Sequence, residues 1–201
     1  MLILKDILSL YINKRSNMRR DDVDKLVSAT GLVLAIVFII TSGALYYTYQ
    51  FIHGQVSSQL SSEKITFPAA DSKAFTSLPQ DSQDAIKPHA GKALETGAQA
   101  EIFADKYIKV HLDKIDGGKT YSELSSEAMA NPSDKALAGK VESIFRGEML
   151  RGVLLNAYAF DTMAIIAKYA AVGALAASFV LAILSSLGFR HAKKVKSRRK
   201  K

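Results

Sequence analysis

Two uninterrupted apolar blocks constrain this chain more than anything else in it. Residues 26–46 (LVSATGLVLAIVFIITSGALY) and residues 169–189 (YAAVGALAASFVLAILSSLGF) each run for twenty-one residues without a charge. At about 1.5 Å rise per residue, each block is about 31 Å long as a helix, the thickness of a bilayer's hydrocarbon core. A surface helix of a soluble protein keeps a polar face, and these blocks have none. The sequence therefore predicts an all-α membrane protein, with two transmembrane helices and a mainly helical extracytoplasmic domain between them.

The distribution of charge orients the two spans. The net charge of +8 is concentrated at the ends: residues 190–201 carry eight Lys or Arg and no acid, and residues 1–25 carry six against four acids. The stretch between holds thirteen basic and fifteen acidic residues. Short flanks rich in Lys and Arg stay on the cytoplasmic side. This predicts a multi-pass protein of the cell (plasma) membrane with both termini cytoplasmic and residues 54–157 outside. The basic tail also suits anionic headgroups, at about 1 kcal/mol per residue near the surface. It lacks the aromatic or glycine interleaving of a nucleic-acid segment, so no nucleic-acid partner is expected.

On this basis the chain divides into a basic leader (1–25), a first span (26–50), an extracytoplasmic helical domain (51–157), a membrane-proximal helix with the second span (158–189) and a basic tail (190–201). The leader opens with Ile3, Ile7, Leu8, Leu10 and Tyr11, a short amphipathic helix that suits the interface and is too short to cross. Expected membrane-interface residues are Tyr46, Tyr47 and Tyr49 at the outer end of the first span, Lys168 at that of the second, and Arg190 on the inner side. Ser42, Gly43 and Ala44 resemble a cleavage context, but the leader and the apolar core are long for a signal peptide, so an uncleaved anchor is expected.

The outer segment reads as helices joined by recognisable stops. Residues 55–62 (QVSSQLSS) continue the first helix or form a stalk. Residues 65–79, with Pro68 and Pro79, read as irregular, with a brief strand over 64–67. Ala100, Phe103, Ala104, Tyr107, Ile108 and Ile115 then recur at helical spacing with His111 in register, until Gly117-Gly118 ends the helix. Thr120 to Glu123 fits a capping box and starts a short helix to about Met129, which Asn131-Pro132 stops. From Asp134 the spacing predicts one long helix, or two nearly collinear ones, running into the second span.

Chemistry-bearing motifs are sparse. The chain has no phosphate-cradling glycine loop, no G-x-S-x-G and no H-E-x-x-H. Without cysteine, disulfides and thiolate sites are excluded. His53, His89, His111 and His191 are far apart, so a metal centre would require folding to gather them with Glu101 or Asp105. His111 is instead expected as a satisfied helix residue, and it cannot face Asp113 two positions on. No cofactor, metal or catalytic residue is assigned. Asp161 and Lys168, seven apart, share a helix face near the outer boundary, as an anchor or partner contact would. Small residues at four-residue spacing, Ala170, Ala174 and Ser178 beside Gly173 and Ala177, offer a close-approach face to the first span, a second copy or another protein.

Residues 97–112 (GAQAEIFADKYIKVHL), 118–124 (GKTYSEL) and 150–160 (LRGVLLNAYAF) resemble a family of small two-span membrane proteins from actinobacteria. The resemblance covers most of the outer segment and the second span and leaves out the leader and tail. It implies the same topology and a Gram-positive surface setting, and supplies no catalytic residues.

The function expected from these observations is that of a non-enzymatic accessory or interaction subunit of a membrane or cell-envelope complex. Its partners would be the lipid bilayer and another membrane protein or a second copy. Arg151, Asn156, Tyr158 and Asp161, polar or amphipathic groups on the membrane-proximal helix, are the candidate contacts. The alternatives are a small extracytoplasmic ligand sensor signalling through its helices to a separate partner, and, behind it, a cell-envelope enzyme.

Overall fold

The computed structural model describes residues 20–198, so the leader helix and the last three residues of the tail lie outside the described residues. The described chain is helical: α1 (Arg20–Ser62), α2 (Lys73–Thr76), α3 (Gln80–Ile86), a 3₁₀ turn (Lys87–His89), α4 (Gly97–Ile102), a π-helical segment (Phe103–Ile108), α5 (Lys109–Asp116), α6 (Tyr121–Ala130) and α7 (Lys135–Arg198). Two of these, α1 and α7, are long and apolar enough to cross a membrane. The chain forms two compact units, one from Tyr47–Ala167 and the other from the parts up to Tyr46 and from Lys168 onward.

In the unit formed by the chain ends, α1 and α7 meet through small residues. Ser28, Ala35 and Ser42 are buried on one helix, and Ala171, Ala174, Ser178 and Ser185 on the other. The Ser42 hydroxyl donates to the Ala171 carbonyl at 2.8 Å. A Cβ at Gly31 would collide with Ser185 Oγ, and one at Gly188 with Ser28 Oγ. Large side chains such as Val33, Ile36, Ile40, Phe179, Ile183 and Leu187 face outward instead. Small residues inside and large apolar ones outside is the arrangement expected where close backbone approach, not apolar burial, holds helices together. The packed line passes through Ala171 where the sequence pointed to Ala170 and Gly173, both of which are exposed. Ala174 and Ser178 stand on it as expected.

The middle unit encloses a conventional apolar core. Val56, Leu60, Phe67, Phe75, Leu78, Ile86, Leu94, Phe103, Ile108, Leu112 and Leu154 cluster in it, with Phe67 and Phe103 edge to face at 5.3 Å between ring centres. The strand expected over 64–67 is reduced to a single antiparallel bridge between Thr66 and Ala93, flanked by Phe67 N–H to Lys92 O and Leu94 N–H to Ile65 O, both at 2.9 Å. The prolines leave room for α2, which the sequence did not signal; its N-cap is Ser72, whose hydroxyl accepts from the Phe75 amide at 3.2 Å.

The π-helical segment explains a register error in the expected stripe. Its wider turn keeps Ala100, Ala104, Ile108 and Leu112, each four residues apart, on the buried side. A regular helix would have brought Ile115 round to the core, but Ile115 is exposed and Leu112 is buried. The stops are where the sequence put them. Gly117 adopts φ +67 in the left-handed region and closes α5. Thr120 Oγ1 accepts from the Glu123 amide while Glu123 Oε2 accepts from the Thr120 amide at 2.7 Å, which caps α6. Asp134 accepts from the Leu137 amide at 2.9 Å to open α7, which runs unbroken through Gly147 and Gly152. At Gly147 the missing side chain makes room for Leu112.

Candidate functional site

The part of α7 that lies in the middle unit carries most of the features there that are not accounted for by the core. On its inward face Asp161 is 3% exposed. Such a carboxylate needs partners, because an unpaired buried charge is strongly unfavourable. It has two: Oδ1 lies 2.6 Å from His53 Nδ1 on α1, and Oδ2 accepts from the Gly97 amide at the start of α4 at 2.9 Å. With Asp161 as a carboxylate, which can only accept, the proton of this bond sits on Nδ1 of His53. The His53 ring stacks on Tyr49 at 5.3 Å. Gly97 is obligatory at its position, since a Cβ there would collide with Asp161. Asp161 thus ties three elements together.

Arg151 is also engaged inside the unit. Its Nε and a terminal nitrogen donate to Asp105 Oδ1 at 3.2 and 2.9 Å, and its other terminal nitrogen reaches Glu148 at 3.4 Å. The bond to Asp105 holds the guanidinium pKa above its ordinary value. Beside it a charged cleft of about 450 Å³ is lined by Asp81, Lys106, Lys109 and Asp113, and these charges pair among themselves, Lys106 with Asp81 at 3.0 Å and Lys109 with Asp113 at 2.9 Å. The Lys106 ammonium holds the Asp81 carboxyl below its ordinary range.

On a different side of α7 the surface is apolar. Met149, Leu150, Val153, Leu154, Ala157 and Phe160 form one wall of a groove of about 550 Å³, and Val56, Leu60 and Ile65 form the other. Gln59, Ser62 and Asn156 add polar groups to its rim, and Glu63 adds a charge. Met149, Leu150, Val153 and Phe160 are exposed although each is a large apolar side chain. Contiguous exposed apolar surface is uncommon on proteins that stand alone in water.

The four candidate contacts thus separate. Asp161 is buried and Arg151 half-buried, both with their polar atoms bonded within the unit. Tyr158 is half-buried, with its backbone close to Gly97. Asn156 is exposed at the groove. Of the interface residues, Tyr46, Tyr47, Lys168 and Arg190 are exposed, and Tyr49 is half-buried against His53. Sequence reasoning missed the His53 and Asp161 pair and the groove. A signal for the first existed: His53 stands seven residues beyond Tyr46 and Asp161 eight before Tyr169, nearly equal offsets from two antiparallel blocks.

No group of three or more His, Cys, Asp or Glu that could hold a metal ion occurs among the described residues. His111 Nδ1 bonds to the Tyr107 carbonyl within its own helix at 2.7 Å. No family model matches the chain, and neither the curated proteins nor the solved structures provide a match.

Proposed function

We propose that this chain is a two-pass membrane protein, both ends cytoplasmic and residues 54–157 outside, whose outer helical unit docks against another membrane-embedded chain as a non-enzymatic accessory subunit. The observation that carries the docking is the apolar groove along α7, with Met149, Val153 and Phe160 exposed at its edge. In water such side chains favour removal by about 1.5–3 kcal/mol each when fully buried. Two long apolar helices and the basic ends support the membrane topology.

The test is recovery of a stoichiometric companion with a tagged copy after extraction in mild detergent, compared between wild type and Val153→Glu. Val153 is exposed, so the substitution leaves the unfolding midpoint in place while placing a charge in the groove. Loss of the companion with Val153→Glu supports docking; equal recovery removes the groove from it. The groove volume also falls within the range of small-ligand sites, which favours the sensor reading second. A small molecule retained by wild type and released by Val153→Glu, with no companion chain, would put that reading first.

A further inference from the structure

The membrane-proximal stretch of α7 has two apolar faces. One, through Leu154, Asp161 and Ala164, is buried against the unit. On a second face, about 100° round the helix from the first, Met149, Val153, Phe160 and Met163 are 56%, 59%, 55% and 59% exposed. With Asn156 between them, these positions are spaced four, three, four and three residues apart. That is the seam of a heptad repeat, the period at which one helix meshes side by side with another. A helix apolar on two faces is suited to a neighbour on each.

We propose that the neighbour on this second face, the α7 wall of the groove, is α7 of a second copy, parallel and in register, with the two Asn156 side chains facing each other across a two-fold axis. This rests on the two-pass topology given above. Copies inserted the same way into one membrane have parallel α7 helices, so a two-fold axis along the membrane normal brings each seam residue to its own counterpart. Self-apposition requires a seam without net charge. Among residues 149–163 the only charged side chains are Arg151 and Asp161, and both are bonded within the unit. At the middle of the seam a carboxylate or ammonium would repel its own copy, whereas an amide is donor and acceptor at once. The Asn156 side chain is exposed, and its partner would be the same amide. One polar residue in an apolar seam fixes register and number of strands at some expense of stability. Next to the seam, Gly152 has open space around it, which leaves room for a close approach. Met149 and Val153 lie about five and four turns along α7 from Lys168, so lipid tails are not what covers them.

Because the chain has no cysteine, single cysteines at seam positions report apposition directly. Val153→Cys, Asn156→Cys and Phe160→Cys are compared in native membranes under mild oxidation with Glu148→Cys and Leu150→Cys, exposed positions to either side of the seam. The expected result is disulfide-linked dimer at the seam positions several-fold above that at 148 and 150, since the bond forms only across a Cα separation of about 4.4–6.8 Å. Adding Asn156→Asp to Val153→Cys should cut that dimer about tenfold at neutral pH with the unfolding midpoint retained. Equal cross-linking at all five positions, or none at the seam, overturns the proposal. So does a retained lipid or a different chain protecting the seam cysteines in a monomer. In that last case a companion still lost with Val153→Glu leaves the docking reading standing, so the two can fail separately.

Discussion

The hydroxyl of Ser28 occupies the space that the missing side chain of Gly188 leaves on the facing helix. The relation recurs with roles exchanged, Ser185 lying over Gly31. Each helix therefore carries Ser-x-x-Gly, at 28–31 and at 185–188, and the antiparallel pairing sets each serine against the other's glycine. Gly188→Leu should destabilise the pair by about 1–3 kcal/mol through overpacking. Exchanging the two residues, Ser28→Gly with Gly188→Ser, should restore most of what Gly188→Ser alone loses. Thermal unfolding in detergent reads both; a double variant no better than the single one would mean that the contact does not set the pairing.

Asp161 fastens α1, α4 and α7 at one point. Asp161→Ala leaves the Gly97 amide and His53 without their acceptor and should cost about 3 kcal/mol, the range for hydrogen bonds to a charged group. Asp161→Asn keeps an oxygen for one of them and should cost less. Chemical denaturation of the purified protein separates the two, and an Ala variant as stable as wild type would show that the pair does not support the fold.

The turn after α5 needs left-handed backbone at adjacent residues, Gly117 at φ +67 and Gly118 at φ +87. A Cβ at either would meet nothing within 4 Å, so any penalty is conformational and not steric. Gly117→Ala and Gly118→Ala should each lower stability by about 1 kcal/mol although alanine is the better helix former. A raised midpoint in both would mean that the helix runs through.

How much of this was legible can be argued from these same elements. The turn at Gly117 and the caps at Thr120 and Asp134 are set by contacts within a few residues, and they stand where local sequence rules placed them. Ile115 was misplaced because nothing in the local pattern announces the π-helical turn that shifts register by one residue. α2 was missed because four residues are too few for periodicity to show. The pairing of His53 with Asp161 joins residues 108 apart, and only the depth of both relative to the apolar blocks hints at it. The groove could not be read at all, since exposure of Val153 or Phe160 depends on what the rest of the unit leaves uncovered.

The cap of α6 carries a pH dependence. Hydrogen bonds from the Thr120 amide and hydroxyl hold the Glu123 carboxyl below its ordinary value of 4.5. A carboxyl depressed by folding stabilises fully above its unfolded-state pKa, and that contribution disappears as the pH falls through the folded value. Glu123→Gln should therefore be less stable than wild type near neutral pH, with the difference closing below pH about 4. A difference that stays constant down to acid pH would show that the charge is not involved.

The central claim is topology, since the proposed outer location of the middle unit underlies the docking proposal and the parallel pairing alike. The chain has no native cysteine, so Ser133→Cys and Ser197→Cys, both at exposed positions, give a clean pair of reporters. With a membrane-impermeant thiol reagent on intact cells, position 133 should label at once and position 197 only after permeabilisation. Labelling of 197 but not 133 on intact cells would invert the protein in its membrane, and equal labelling of both without permeabilisation would contradict a two-span arrangement.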